Sequence, residues 1–349
     1  MSQPALSAAA PLNVPQALAQ ALEFHRQGRL AEAERLYAAI LAVRPDHFDA
    51  LHMLGVLKLA TGRPAEALQL VAAAMRAKKP SPQILMNHGL VLNALGRHED
   101  ALVSFDEAIK RKSKFAEAHI NRSAVLAVLG RDEEAVEGCR KVLDIARNSP
   151  EAHYNLGNSL RRLGRIDEAL KSLDRALALR PDYVNALNNR GMILQEMRQL
   201  DEALECYDRA LSLMPTNVDV LNNRGSTLYM LSRLDEALTC YDLALLLQGN
   251  DAQILYNRGN VLKELGRHEE ALAGYDRALA VRPDLAEAHN NRGSTLHDLG
   301  RFEEAIASYD RALALRPEYP EALDNRANAL QELKRIEDEQ QAEPGVSVF

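Results

Sequence analysis

Asn185-Ala186-Leu187-Asn188-Asn189-Arg190-Gly191-Met192-Ile193-Leu194 decides the fold, because its core returns at a fixed spacing. Asn189-Arg190-Gly191 is repeated as Asn223-Arg224-Gly225, Asn257-Arg258-Gly259 and Asn291-Arg292-Gly293, each copy 34 residues after the last. An unbroken period of that length marks an array of small stacked units. With position 1 placed at Val14, repeats begin at 14, 48, 82, 116, 150, 184, 218, 252 and 286, and a partial tenth begins at 320. Position 8 is small throughout: Ala21, Gly55, Gly89, Ser123, Gly157, Gly191, Gly225, Gly259, Gly293 and Ala327. A close helix–helix crossing demands this. Position 20 is Ala in all nine full repeats, position 15 is Gly in seven of them, and Pro recurs at position 32. Within a unit the apolar residues follow helical spacing, as in Leu255, Val261, Leu262 and Leu265, then Ala271, Leu272, Tyr275 and Leu279. Each repeat therefore reads as two antiparallel helices joined by a short turn and stopped by Pro.

Composition narrows the partners. The chain has 349 residues, 47% of them hydrophobic, enough for a large core, which the repeat spreads into a long seam. A net charge of −7 argues against nucleic acid and anionic membranes. Three cysteines, Cys139, Cys206 and Cys240, are too few for a disulfide framework or a zinc site and read as reduced thiols. Met1–Leu12 lacks the pattern of a secretory signal, and no apolar run is long enough to cross a membrane. The expected location is cytoplasmic.

The register resembles that of the tetratricopeptide repeat (TPR) family, which has a small residue at 8, Ala at 20, an aromatic at 24, Ala at 27 and Pro at 32. Position 24 here is Tyr37, Phe105, Tyr207, Tyr241, Tyr275 and Tyr309. The family's aromatics at positions 4 and 11 are mostly replaced by Leu or His and by Leu. The resemblance implies an all-α, right-handed superhelical solenoid of nine units over residues 14–319, with residues 320–338 as a capping first helix. Residues 1–13 are expected to be disordered or loosely packed, and 339–349 to form a flexible tail. The far side of the cap carries Gln331, Glu332 and Lys334, which reads as a polar end.

Two positions vary together. Position 25 is Asp106, Asp174, Asp208, Asp242, Asp276 and Asp310, and position 7 of the next repeat is Arg122, Arg190, Arg224, Arg258, Arg292 and Arg326. Where position 25 is Arg140, Ala38 or Ala72, the next position 7 is Leu156, Leu54 or His88. This predicts an ion pair between repeats, partly buried at the junction. If truly buried, loss of one partner would cost ~3–5 kcal/mol.

In this family the first helices line a concave face through positions 2, 5, 6, 9, 12 and 13. Position 6 is Asn87, Asn121, Asn155, Asn189, Asn223, Asn257, Asn291 and Asn325, an unbroken row. Asn gains nothing locally in mid-helix. A row of carboxamides can clamp the amides of an extended peptide, since each both donates and accepts. This is similar to the asparagine ladder of the TPR arm of O-GlcNAc transferases; the alternative is that these amides bond neighbouring repeats. In repeats 2–4 the same face is apolar, with Met53, Val56, Leu59, Met86, Leu90, Ile120, Ala124 and Val128, and from Tyr154 onward it turns polar. The residue set with which some TPR proteins hold a C-terminal carboxylate is missing. No catalytic constellation, cofactor loop or metal motif is present. The expected function is a non-catalytic scaffold binding a protein or peptide in the concave groove. Its alternative is the substrate-recognition arm of an O-GlcNAc-transferase-like system without the catalytic domain. Self-association into a homodimer through a convex or end face is a third.

Overall fold

The computed structural model describes residues 12–342, and all its regular structure there is helical. The description divides into two compact units, one running to Arg180 and one from Pro181. In the first unit the helices are α1 (Val14–Arg26), α2 (Leu30–Val43), α3 (Phe48–Ala60), α4 (Pro64–Ala77), α5 (Pro82–Ala94), α6 (His98–Arg111), α7 (Ala116–Val128), α8 (Asp132–Ile145), α9 (Pro150–Arg162) and α10 (Ile166–Leu179). The second unit holds α11 (Val184–Glu196), α12 (Leu200–Leu213), α13 (Val218–Met230), α14 (Leu234–Leu247), α15 (Ala252–Glu264), α16 (His268–Val281), α17 (Ala286–Asp298), α18 (Phe302–Leu315) and α19 (Pro320–Ala342). First and second helices of every full repeat span 13 and 14 residues, the constancy that stacking of like on like requires. None of the described helices is long and apolar enough to cross a membrane.

Local chemistry fixes the ends. Asn13, Ser81, Ser149, Asn217 and Asp251 cap first helices by accepting the amide three residues on. Asn13, expected to be loose, is thus part of α1, while residues 1–11 lie outside the described residues. The turn before each second helix needs a left-handed residue, and seven glycines supply it with φ of 72–73°. Repeats 6 and 7 do the same with Arg198 (φ 62°) and Ser232 (φ 58°), at a cost of roughly 1 kcal/mol each. Beyond the turn, Arg at position 16 reaches the acid at position 19, as in Arg233–Glu236 at 2.7 Å.

The core explains positions 8 and 24. A Cβ on Gly191, Gly259 or Gly293 would lie 2.6 Å from the ring of Tyr207, Tyr275 or Tyr309, so the aromatic fills the space glycine leaves. Repeat 4 reverses the sizes, with Ser123 at position 8 facing Gly138 and the smaller Cys139 at position 24. Two polar groups enter positions read as apolar or exposed. Lys58, at position 11, is only 9% exposed and lies 2.9 Å from Glu34 and 2.5 Å from Glu66. Asp132 is 7% exposed and takes Arg162 at 2.6 Å.

α19 runs past the expected end at 338 to Ala342 and packs on α18 through Ala322 and Ala329, both fully buried. A turn like those of the other repeats is rewarded by burying Ala at position 20 and an aromatic at 24. Position 20 of the tenth repeat is Glu339, so the helix continues. The expected polar end is incomplete, because Leu323 and Leu330 are 48% and 41% exposed. Residues 343–349, the rest of the expected tail, lie outside the described residues.

Candidate functional site

The asparagine row lies on half-buried ground: all eight position-6 side chains are neither exposed nor fully covered. From Asn223 onward their Nδ2 groups reach back to position 5 of the preceding repeat. Asn223 donates to Asn188 Oδ1 at 2.9 Å, Asn257 to Asn222 Oδ1 at 3.0 Å and Asn325 to Asn290 Oδ1 at 3.1 Å. Asn291 donates to Tyr256 Oη at 3.1 Å and Asn260 Oδ1 at 2.9 Å. Within a repeat, Asn188 and Asn290 donate to Asn189 and Asn291 at 3.3 and 3.2 Å. In the first unit Asn87 donates to His52 Nε2 at 2.8 Å, and Asn121 approaches Met86 Sδ at 3.7 Å. Burial holds the His52 imidazole below its ordinary pKa, which keeps that acceptor neutral.

These bonds realise the inter-repeat use of Asn that the sequence offered as the alternative reading. They do not exhaust the amides, since each carboxamide carries two N–H donors and an acceptor oxygen. Asn223 also lines a cleft of about 400 Å³ together with Met192, Gln195, Glu196, Arg198 and Met230. Polar side chains of the second unit's first helices are tied across repeats: Gln195 donates to Ser226 Oγ at 3.2 Å, and Lys263 to Ser294 Oγ at 2.6 Å. In the first unit the apolar strip is half-covered at Met53, Val56, Leu59, Leu90, Ile120 and Ala124. Met86 is buried and Val128 is 65% exposed.

Five of the expected Asp–Arg pairs lie within one unit or the other, and all five form. Nε of Arg122, Arg224, Arg258, Arg292 and Arg326 lies 2.5–2.7 Å from Oδ1 of Asp106, Asp208, Asp242, Asp276 and Asp310. Asp174 and Arg190 fall in different units. The expectation of burial needs correction on the acid's side: the Asp side chains are 51–58% exposed, while four of the five Arg are 21–25% exposed. Each pair is a surface pair worth ~0.2–1 kcal/mol, not ~3–5. Where position 23 of the same repeat carries an acceptor, the guanidinium can also donate to it, as Arg224 does to Cys240 Sγ at 3.0 Å and Arg292 to Ser308 Oγ at 2.6 Å.

The carbonyl of position 32 has two suitors in the next repeat. His119, His153 and His289 at position 4 take those of Ser113, Arg147 and Pro283 at 2.9, 3.3 and 3.1 Å. Where position 4 is Leu, Arg209 and Arg277 at position 26 take those of Pro181 and Gly249. These histidines are thus structural. Cys139 is buried, which pushes its thiol up to about 11, and burial also raises the Cys240 thiol.

Three models of the tetratricopeptide repeat match the chain. One covers residues 114–182, 149–216, 182–245, 216–284 and 250–318, and the others cover 24–86 and 82–115. They describe the repeat alone and lend nothing to the narrower likeness to O-GlcNAc-transferase arms. No curated protein sequence matches. Among solved structures, the chain is similar to the APC/C hetero-tetramer Cut9–Hcn1, with TM-score 0.64 and 14% identity over 91% of this chain and 76% of that one. PilF of Pseudomonas aeruginosa gives TM-score 0.56 and 21% identity over 61% and 97% of the two chains. A tetratricopeptide repeat protein of Parabacteroides merdae gives TM-score 0.56 and 19% identity over 71% and 98%. At such identities the likeness is one of fold.

Proposed function

Since the chain belongs to the tetratricopeptide-repeat family, whose fold is typically an interaction scaffold, we propose that it is a non-catalytic scaffold binding an extended peptide along the asparagine row. The observation that carries this reading is the row itself. Carboxamides recur at one height, half-exposed, and one of them borders a cleft with Met192 and Met230 on its wall. Such a site would hold a peptide main chain by amide pairing and admit an apolar side chain beside it, since thioethers adapt to varied shapes. The ligand is main-chain selective first and side-chain selective second.

The test must separate ligand contact from repeat stitching, because Asn→Ala removes both. Two triple variants serve: Asn223→Ala with Asn257→Ala and Asn325→Ala, and Asn188→Ala with Asn222→Ala and Asn290→Ala. The second set removes the acceptors of the stitching bonds, together with the bonds Asn188 and Asn290 donate within their repeats, and leaves the position-6 amides in place. Partners identified by mass spectrometry after affinity capture should be lost from the first set and retained by the second, with helical content unchanged in both. Equal loss from both would assign the row to stacking.

A further inference from the structure

The open face of α19 is the other surface with an internal template. In every full repeat the side of the first helix bearing positions 4, 8 and 11 is covered by that repeat's own second helix. Leu221 and Leu255 at position 4 are 3% and 1% exposed, and Leu228 and Leu262 at position 11 are fully buried. On α19 the same places are Leu323 at 48%, Ala327, also exposed, and Leu330 at 41%. The opposite side of α19 is already seated on α18, so this strip continues the stacking interface and is left uncovered among the described residues.

What fits there can be read from what fits elsewhere. The covering helix carries Ala at position 20, a bulky residue at 24 set against the small residue at 8, and in most repeats Ala at 27; Ala305, Tyr309 and Ala312 are one such set, all buried. The covering helix also opens with acidic residues, Glu303 and Glu304 in α18. Lys334 and Arg335 stand at positions 15 and 16 of the tenth repeat, where an acid of such a first turn would compete with Glu332 and Glu339, which Arg335 holds at 3.0 and 2.6 Å. We propose that α19 is a docking site for a helix of a different protein bearing an acidic first turn followed by Ala, three residues, Tyr or Phe, two residues and Ala. The aromatic would lie over Ala327 and the flanking alanines would let the helix approach Leu323 and Leu330.

The probe is a fluorescein-labelled peptide of residues 300–317 of this chain, a second helix of the required type, titrated against the full chain by anisotropy. Saturable binding is expected, weakened at least tenfold by Leu323→Asp with Leu330→Asp and at least tenfold by Tyr309→Asp within the peptide. It should be unchanged by Asn223→Ala with Asn257→Ala, neither of which lies on α19, and this keeps the site distinct from the peptide groove. Circular dichroism of the α19 variant should match the wild type, since both leucines are already half-exposed. Absent binding, or binding indifferent to the α19 substitutions, overturns the proposal. A dimer seen by light scattering and abolished by the same substitutions overturns it in favour of a second copy. A tenfold gain in peptide affinity on removing residues 343–349 overturns it in favour of the chain's own end.

Discussion

Gly259→Ala places one methyl where there is no room. The added Cβ would lie 2.6 Å from Tyr275 Cε1 and 2.9 Å from Cδ1, distances at which something must move. The ring cannot swing away: it is fully buried, and its hydroxyl donates to Asn260 Oδ1 at 2.8 Å. Overpacking of this kind costs ~1–3 kcal/mol. Alanine returns ~1 kcal/mol by its better helix propensity. The single variant is therefore expected to lose only ~0–2 kcal/mol, and a cycle with Tyr275→Cys is more telling. Repeat 4 shows the alternative packing at work in Ser123 and Cys139 beside Gly138, and repeat 8 already has Gly274 at the place of Gly138. In the Tyr275→Cys background Gly259→Ala should be stabilising, with a coupling of ~1–3 kcal/mol. Ala21 opposite Tyr37 in repeat 1 does not contradict this, because among the described residues no preceding repeat holds α1 against opening. Native-state hydrogen exchange of α15 and α16 amides in the full chain is the assay, since repeat arrays need not unfold in two states. Additivity within ~0.5 kcal/mol would refute the steric account.

The Asp208–Arg224 pair should show a coupling of ~0.2–1 kcal/mol in a double-mutant cycle, shrinking as salt is raised, because the carboxylate is 58% exposed. A coupling near ~3 kcal/mol would restore the buried reading. Glu34 accepts from Arg63 and Lys58, which bring its pKa down to about 2 from an ordinary 4.5. A depressed carboxylate stabilises the fold above its unfolded pKa, so repeats 1 and 2 should lose stability as pH falls from 4.5 toward 2. Carboxyl NMR titration of Glu34 in that window checks this, and a midpoint near 4.5 would dissolve the cluster with Lys58.

The sequence carried the frame well because helix hairpins are local. Gly at 8, the aromatic at 24 and Gly at 15 each act within one repeat, and every described helix boundary except the end of α19 falls on the 34-residue register. The Asp–Arg covariation was equally readable, while its exposure was not, since burial depends on what surrounds both partners. Lys58 at an apolar position and Asp132 opposite Arg162 escaped notice because their pairings with Glu34, Glu66 and Arg162 fall at places that the other repeats do not share. Arg198 and Ser232 do a glycine's work because the second helix behind them still packs. The same logic, run the other way at Glu339, lets α19 extend beyond 338. For the asparagines, residue type announced a polar row, but only the folded chain reveals that position 5 of the preceding repeat claims the amides of Asn223, Asn257, Asn291 and Asn325.

That claim gives the row a mechanical meaning. Asn223, Asn257 and Asn325 sit at the joints between successive repeats and are also the groups a peptide would grip. A ligand that adds to those joints stiffens the second unit, and one that draws the amides outward slackens it. By reciprocity, tension that spreads neighbouring repeats must change the hold on the ligand by the same free energy. On the proposed reading, a peptide held along the row would clasp the joints of the second unit as a clip clasps a spring, and force on that unit would act as a release signal.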